Sequence, residues 1–396
     1  MARFITPLEN FGNYFGIVLV RYFSTSNFRP MPRFVSIYLC FLSFFWGLSQ
    51  NSISKPIEND SASQVSKEWA KTLDSTKIVS LLEVIEQTDN GVESMLIAKK
   101  DTLLIDAYFK GYSSETPHDL RSVTKGFIAI LVGIAIDKGL IEDINDPIQK
   151  YLALLKPIKN KSEAKSRITI KHLLTMSSGL DCNDWDKKSK GQEDKVYRKK
   201  DWLQYTLDLP MVSEPGQQST YCTMGTILLG EILERVSGKS LEQFAQIHLF
   251  EPLSIQNYRW GHTSKTNKLS SAKRLYLTPR DMAKIGILIL NQGSWNSQQI
   301  VSEDWVKQMT KAQTQLAGLP YGYLWVNIPF SDGTKLYHAA VSTGNGGQYI
   351  IVFPETQLLV IFTGNAFNSE KDKLPLAWVQ RYILPAYKQN NSILQR

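Results

Sequence analysis

The stretch from Ser122 to Leu140 constrains the fold more than any other. Phe127, Ile128, Ile130, Leu131, Ile134 and Ile136 crowd a helical segment that Lys138-Gly139 closes with a C-terminal signal. Its apolar side chains point nearly all round the axis, so this helix has to run through the centre of the molecule with layers packed about it. The chain can supply those layers. Its 396 residues are 43% hydrophobic and 21% charged, a globular composition that excludes the disordered, collagen-like and disulfide-dense classes.

The covering elements can be read from periodicity. A helix pattern through Ile78, Leu81, Leu82 and Ile85 stops near Asn90-Gly91, and Met95–Ile97 and Leu103–Ile105 then flank Lys99-Lys100-Asp101 as a hairpin. Helices are predicted over Ile170–Met176, Trp202–Asp208, Gly225–Val236, Leu241–Leu249 and Pro279–Asn291, the last with Thr278 as N-cap and Pro279 in its first turn. Strand patterns return at Tyr323–Ile328, Gln348–Phe353 and Leu358–Phe362, before an amphipathic stretch over Leu374–Tyr387. Strands near both ends with helices between them predict one sheet assembled from the termini, carrying a helical lobe inserted in its middle.

The first fifty residues read as a leader. Phe34–Leu48 is an apolar run too short to span a bilayer and suited to a signal peptide, with Arg33 before it and a cleavage position after Ser49. Met31-Pro32-Arg33 would make a compact start, and no lipobox precedes Cys40. The alternative is an uncleaved N-terminal membrane anchor, and either way the chain is expected to be exported, periplasmic or secreted. Residues 51–75 are polar and Ser-rich, a tether. Without the leader only Cys182 and Cys222 remain, which in an oxidising compartment either pair or stay as two buried thiols.

The net charge of +8 loses +3 with the leader, where Arg3, Arg21, Arg29 and Arg33 face Glu9. The remainder is dispersed, and its densest run, Lys187–Lys200, is interrupted by Glu193 and Asp194. No nucleic-acid partner is expected from it. His118, His172, His248, His262 and His338 are scattered, so no metal site is assigned, and nucleotide-binding fingerprints are missing, so no cofactor is assigned either.

Serine followed three residues later by lysine occurs four times, at Ser52/Lys55, Ser122/Lys125, Ser162/Lys165 and Ser270/Lys273. Only the second pair opens a long apolar helix. There the i,i+3 spacing lets the Lys125 amine reach the Ser122 hydroxyl, and unpaired N–H groups of the first turn favour negative charge beside it. A partly desolvated lysine with a lowered pKa would then be the base. Two later segments join this pair: Pro215–Thr223, a turn that presents Tyr221 at the leading edge of a helix, and Ser342–Gln348, a glycine-rich lead-in to the strand QYIIVF.

In that order, Ser122-x-x-Lys125, Tyr221 and the glycine-rich segment resemble the penicillin-recognising serine hydrolases, especially the class C β-lactamase-like branch with its esterases and nylon-oligomer amidases. The stretches at 168–185, 221–245 and 276–306 look like that branch too. The resemblance implies an α/β (α+β) domain over 76–390, an antiparallel sheet flanked by helices with its sheet lobe at about 76–118 and 310–390 and an inserted all-α lobe at about 119–309. It also implies that Ser122 attacks a carbonyl while Lys125 and Tyr221 handle the proton, with the oxyanion between the N–H groups of Ser122 and Gln348. Thr223 stands where the family often has asparagine, and Asn345-Gly346-Gly347 where it commonly has Lys-Thr-Gly or His-Thr-Gly. The missing cation argues against an efficient β-lactamase. Cys182 would pair with Cys222, tying the Asp181–Trp185 loop to the edge of the site. The expected activity is cleavage of a small-molecule or peptide amide or ester through an acyl-enzyme; the alternatives are a non-catalytic relative that binds peptide or cell wall, and a D-alanyl-D-alanine peptidase or weak β-lactamase.

Overall fold

The computed structural model describes residues 64–65, 69–152, 157–262 and 273–388. In chain order its strands are β1 (Gln64–Val65), β2 (Val92–Lys99), β3 (Thr102–Tyr108), β4 (His118–Asp119), β5 (Tyr258–His262), β6 (Lys273–Leu277), β7 (Ser294–Trp295), β8 (Gln298–Gln299), β9 (Thr314–Leu316), β10 (Leu319–Tyr321), β11 (Val326–Ser331), β12 (Leu336–Gly344), β13 (Gln348–Phe353) and β14 (Leu358–Gly364). The longest helices are α1 (Ser75–Gln87), α2 (Val123–Asp137), α3 (Thr223–Ser237) and α4 (Pro279–Leu290).

Nine of these strands form one antiparallel sheet in the order β1-β3-β2-β14-β13-β12-β11-β10-β9. Sequence-distant strands therefore meet at its centre, where Leu359 pairs with Ala98 and Ile361 with Leu96. Every residue of β13 and β14 is buried, which a sheet achieves only when helices cover both faces. On one face α4 packs so closely that a Cβ at Gly286 would lie 2.3 Å from the Leu359 side chain. On the other, Trp378 packs on Phe362 at 6.4 Å between ring centroids.

The apolar helix sits where its composition requires. All of α2 from Val123 to Ala135 is buried, and Trp305 lies across it, donating its indole N–H to the Ala129 carbonyl at 3.0 Å. A side chain at Gly133 would collide with that indole, its Cβ falling 2.1 Å from the ring. The strand β12 and the helix α3 flank α2, so the N-terminus of α2 opens between the sheet and the helical layer.

Three expectations need revision. Fold begins inside the supposed tether: β1 pairs with β3, and Leu73 is fully buried and bridges to Tyr387, because an apolar side chain there closes the seam between the two ends of the chain. The inserted lobe is not purely helical, since β4, β6 and β5 form a small antiparallel sheet and the apolar face of α4 belongs to the large one. Ser342-Thr343-Gly344 are the end of strand β12, and Asn345-Gly346-Gly347 are the turn into β13. The leader, the Met31 start and most of the tether lie outside the described residues. Among the described residues no helix is long and apolar enough to cross a membrane.

Candidate active site

Ser122 stands at the N-cap position of α2, yet its hydroxyl caps nothing. Instead it receives the Lys125 ammonium, with Nζ 3.0 Å from Oγ. The residue before it, Arg121, takes a left-handed backbone conformation (φ +50°), a local strain held by its N–H donating to Asp119 Oδ1 at 3.1 Å and by its guanidinium on the same carboxylate at 3.1 Å. The bend turns the start of α2 toward the end of β12. There Gly344 passes so close that a Cβ would sit 2.4 Å from the Leu120 carbonyl, and Ser342 donates its hydroxyl to the Val123 carbonyl at 3.3 Å. Small residues at the end of β12 are thus a packing requirement of the Ser122 turn.

Tyr221 reaches the same point from the other wall. It lies just ahead of α3, and the Lys125 Nζ is 5.0 Å from the centroid of its ring. Lys125 itself is 8% exposed. Burial pushes its ammonium down, but the negative charge offered by Tyr221, Glu193 and Asp184 and a hydrogen bond to Tyr221 outweigh that, and the pKa is raised. The lowered lysine pKa expected from sequence is therefore corrected: Tyr221, Glu193 and Asp184 act electrostatically on this amine, and nothing in the local sequence of α2 announces them.

The other site residues divide. Thr223 faces the loop and donates both its N–H and its hydroxyl to Asp184 Oδ2, each at 2.7 Å. Cys182 and Cys222 form a disulfide. Gln348 pairs with Gly344 and its side-chain amide engages the backbone of Gly364; the residue is wholly buried, N–H included, which does not support the oxyanion role expected for that N–H. Gly346 and Gly347 are buried, Gly346 behind the Phe367 ring, which a Cβ would approach to 2.5 Å. Asn345 is the exposed residue of the turn, and its side chain is engaged with Asn368, donating to Oδ1 at 2.7 Å and accepting from N–H at 2.8 Å. The N–H groups of Ser122 and Asn345 donate to no other group among the described residues.

Sequence reasoning missed the acids and the aromatic rim. Asp184 and Glu193 lie in the polar segment between Cys182 and Tyr221, Glu193 at the start of the short helix Glu193–Val196, and burial together with the Glu193 charge pushes the Asp184 carboxyl up to about 6. Trp185 stacks on Tyr221 at 4.8 Å and 8° while staying 52% exposed. Phe367 is 38% exposed, with the Arg121 guanidinium 4.3 Å above its ring. The signal for Asp184 and Trp185 was their nearness in sequence to Cys182; Glu193 and Phe367 offered none.

With this geometry in hand, comparison with known proteins is decisive. The β-lactamase family profile matches residues 85–384, three quarters of the chain and all of the groups just described. The chain belongs to the β-lactamase family. Within the family it is 24% identical over 315 residues to a β-lactamase of Escherichia coli, covering 67% of this chain and 80% of that one. It is 22% identical over 260 residues to the 6-aminohexanoate-dimer hydrolase of Paenarthrobacter ureafaciens, covering 63% and 64%. Among solved structures, an octameric penicillin-binding protein homologue from Pyrococcus abyssi superposes with a TM-score of 0.59 at 18% identity, over 79% of this chain and 78% of that one, which establishes the shared fold.

Proposed function

We propose that the protein is a serine hydrolase that opens an amide or ester through an acyl-enzyme on Ser122. The observation that carries this reading is the 3.0 Å approach of Lys125 Nζ to a serine hydroxyl that has no capping duty, at the positive end of a buried helix. Because Lys125 is held charged, it serves as a donor that stabilises the Ser122 alkoxide, and the side-chain oxygen of Tyr221 is the base that takes the proton. Oγ then bonds to the substrate carbonyl carbon, and the electron pair of the C=O bond moves to oxygen. The N–H groups of Ser122 and Asn345 receive that oxyanion; each such donor is worth about 3–4 kcal/mol in a hydrolase. Collapse breaks the bond to the leaving group, which takes the proton from Tyr221. A water repeats the sequence, giving its proton to Tyr221 and its oxygen to the acyl carbon.

The rim indicates the substrate class. No lysine or arginine stands in the last residues of β12 or in the turn 345–347, and the nearby Arg121 is already paired with Asp119. Trp185 and Phe367 supply apolar surface beside Tyr221 and Gly346. A neutral, apolar acyl or leaving group fits this setting better than the carboxylate of a penicillin. Export suits the disulfide between Cys182 and Cys222 and the apolar run at 34–48.

A chromogenic panel of short-chain esters, anilides and a cephalosporin tests the proposal. Turnover of an apolar ester or anilide well above that of the cephalosporin, abolished in Ser122→Ala, is the expected result. A stable penicillin adduct with no turnover of the panel would favour the peptidase reading, and Ser122→Ala with wild-type turnover would end this one.

A further inference from the structure

The segment that carries Tyr221 is gripped at each residue by one loop. Trp185 stacks on the Tyr221 ring, and the Asp184 N–H donates to the Tyr221 carbonyl at 2.9 Å. Cys222 is bonded to Cys182. Thr223 gives both of its hydrogens to Asp184 Oδ2. Cys222 occupies the N-cap position of α3 but has no oxygen with which to cap, so Asp184 does so from outside the helix. Its other oxygen, Oδ1, accepts the Glu193 N–H at 3.2 Å.

We propose that Asp184 is a positioning residue for the Ser122 reaction: its carboxylate fixes the Tyr221-Cys222-Thr223 segment against the loop and so sets Tyr221 beside Lys125. This rests on the acyl-enzyme reading above. The charged and titratable groups around Asp184 are Lys125 from α2, Tyr221 on its own anchor point, Glu193 from the same loop, and Tyr197, which donates to Glu193 Oε2 at 3.0 Å and feels Arg274. Two carboxylates thus act through space on one lysine, and burial beside the Glu193 charge pushes the one that grips Thr223 up to about 6. Protonation turns two charge-assisted bonds into weaker neutral ones and removes one of the acids facing Lys125. Reactivity of Ser122 should therefore fall as the pH drops through this value and be complete above it.

The test is the pH dependence of the second-order rate at which a fluorophosphonate labels Ser122, which needs no knowledge of the natural substrate. Wild type should lose reactivity below an apparent pKa near 6. Asp184→Asn keeps an oxygen for Thr223 but no charge; it should lower the plateau by about ten- to a hundredfold, the margin of a charge-assisted hydrogen bond, and abolish the acid limb. Glu193→Gln, which removes the like charge and leaves the cap intact, should move the limb to lower pH. An acid limb that stays in place in both variants, with the plateau within twofold of wild type, overturns the proposal. Wild type that is never labelled at Ser122 overturns the acyl-enzyme reading instead, and the two failures are told apart on the same gel. Should Asp184→Asn fail to fold, the Glu193→Gln shift decides alone.

Discussion

Two serine–lysine pairs with the same spacing have opposite fates in this molecule. Ser122/Lys125 and Ser162/Lys165 both start helices, and both lysines are buried, 8% and 4% exposed. At the second pair Ser162 behaves as an ordinary N-cap, accepting from the Lys165 N–H at 3.1 Å, while Lys165 Nζ donates to the carbonyls of Lys159, Leu207 and Leu209 at 3.1, 2.8 and 2.6 Å. Its ammonium joins two backbone segments, and burial pushes its pKa down. At the first pair the lysine meets a serine hydroxyl and feels the charge of Tyr221, Glu193 and Asp184, and its pKa rises. Spacing delivers a buried amine near a serine; what surrounds the amine decides whether it ties the backbone together or faces a serine hydroxyl, as the proposed reaction requires.

Removing the Ser122 hydroxyl should separate the pairs most sharply. Ser122→Ala should lower kcat by roughly 10⁴–10⁶-fold with an unchanged melting temperature, whereas Ser162→Ala should leave kcat alone; steady-state assays beside thermal melts read both. Tyr221→Phe follows, at roughly 10²–10⁴-fold in kcat, because the Ser122 side of the comparison depends on a phenolic oxygen that the Lys165 side lacks. The Cys182–Cys222 disulfide closes a loop with a sequence separation of 40 next to Tyr221, so Cys182→Ser/Cys222→Ser should cost about 3–4 kcal/mol in denaturant unfolding as well as activity. Lys165→Met should cost at least about 1–3 kcal/mol, the penalty of one buried carbonyl left unpaired, with kcat per folded molecule preserved. A drop in kcat without a loss of stability in that variant would erase the distinction.

The smallest effect is a difference in sign at alkaline pH. Lys125, raised in the folded state, contributes stability that is present below the ordinary lysine value of 10.5 and is lost as the pH climbs through its folded pKa. Lys165 is depressed, so the unfolded chain binds more protons as the pH rises from that depressed value to 10.5, and stability grows over that window. Urea unfolding across this window should show a shallower rise in Lys165→Met than in wild type; identical slopes would place Lys165 elsewhere than among three carbonyls.

Much of this was legible in the residues themselves. The all-round apolarity of α2 required a central helix, and the Ser122, Lys125 and Tyr221 positions follow from short spacing and the helix start. What could not be read depends on contacts between distant segments. Asp184 and Glu193 reach Lys125 only through the fold, which is why the expected direction of its pKa was wrong. Ser342-Thr343-Gly344 has the composition of a loop, yet it is a strand whose small residues allow it to pass against Leu120 and α2. Gln348 looked available beside two glycines, but the same hairpin that brings Asn345 to the surface turns Gln348 inward to Gly364. Leu73 looked like part of a tether because its partner, Tyr387, lies at the other end of the chain.

The most direct measurement is peptide mapping by mass spectrometry after reaction of the intact protein with a fluorophosphonate ester at pH 8. A single phosphonyl adduct on Ser122, absent in Ser122→Ala and undiminished when Ser162 is replaced, is the expected outcome. Modification of another residue, or an unmodified Ser122 in folded protein, would contradict the assignment of this serine as the nucleophile.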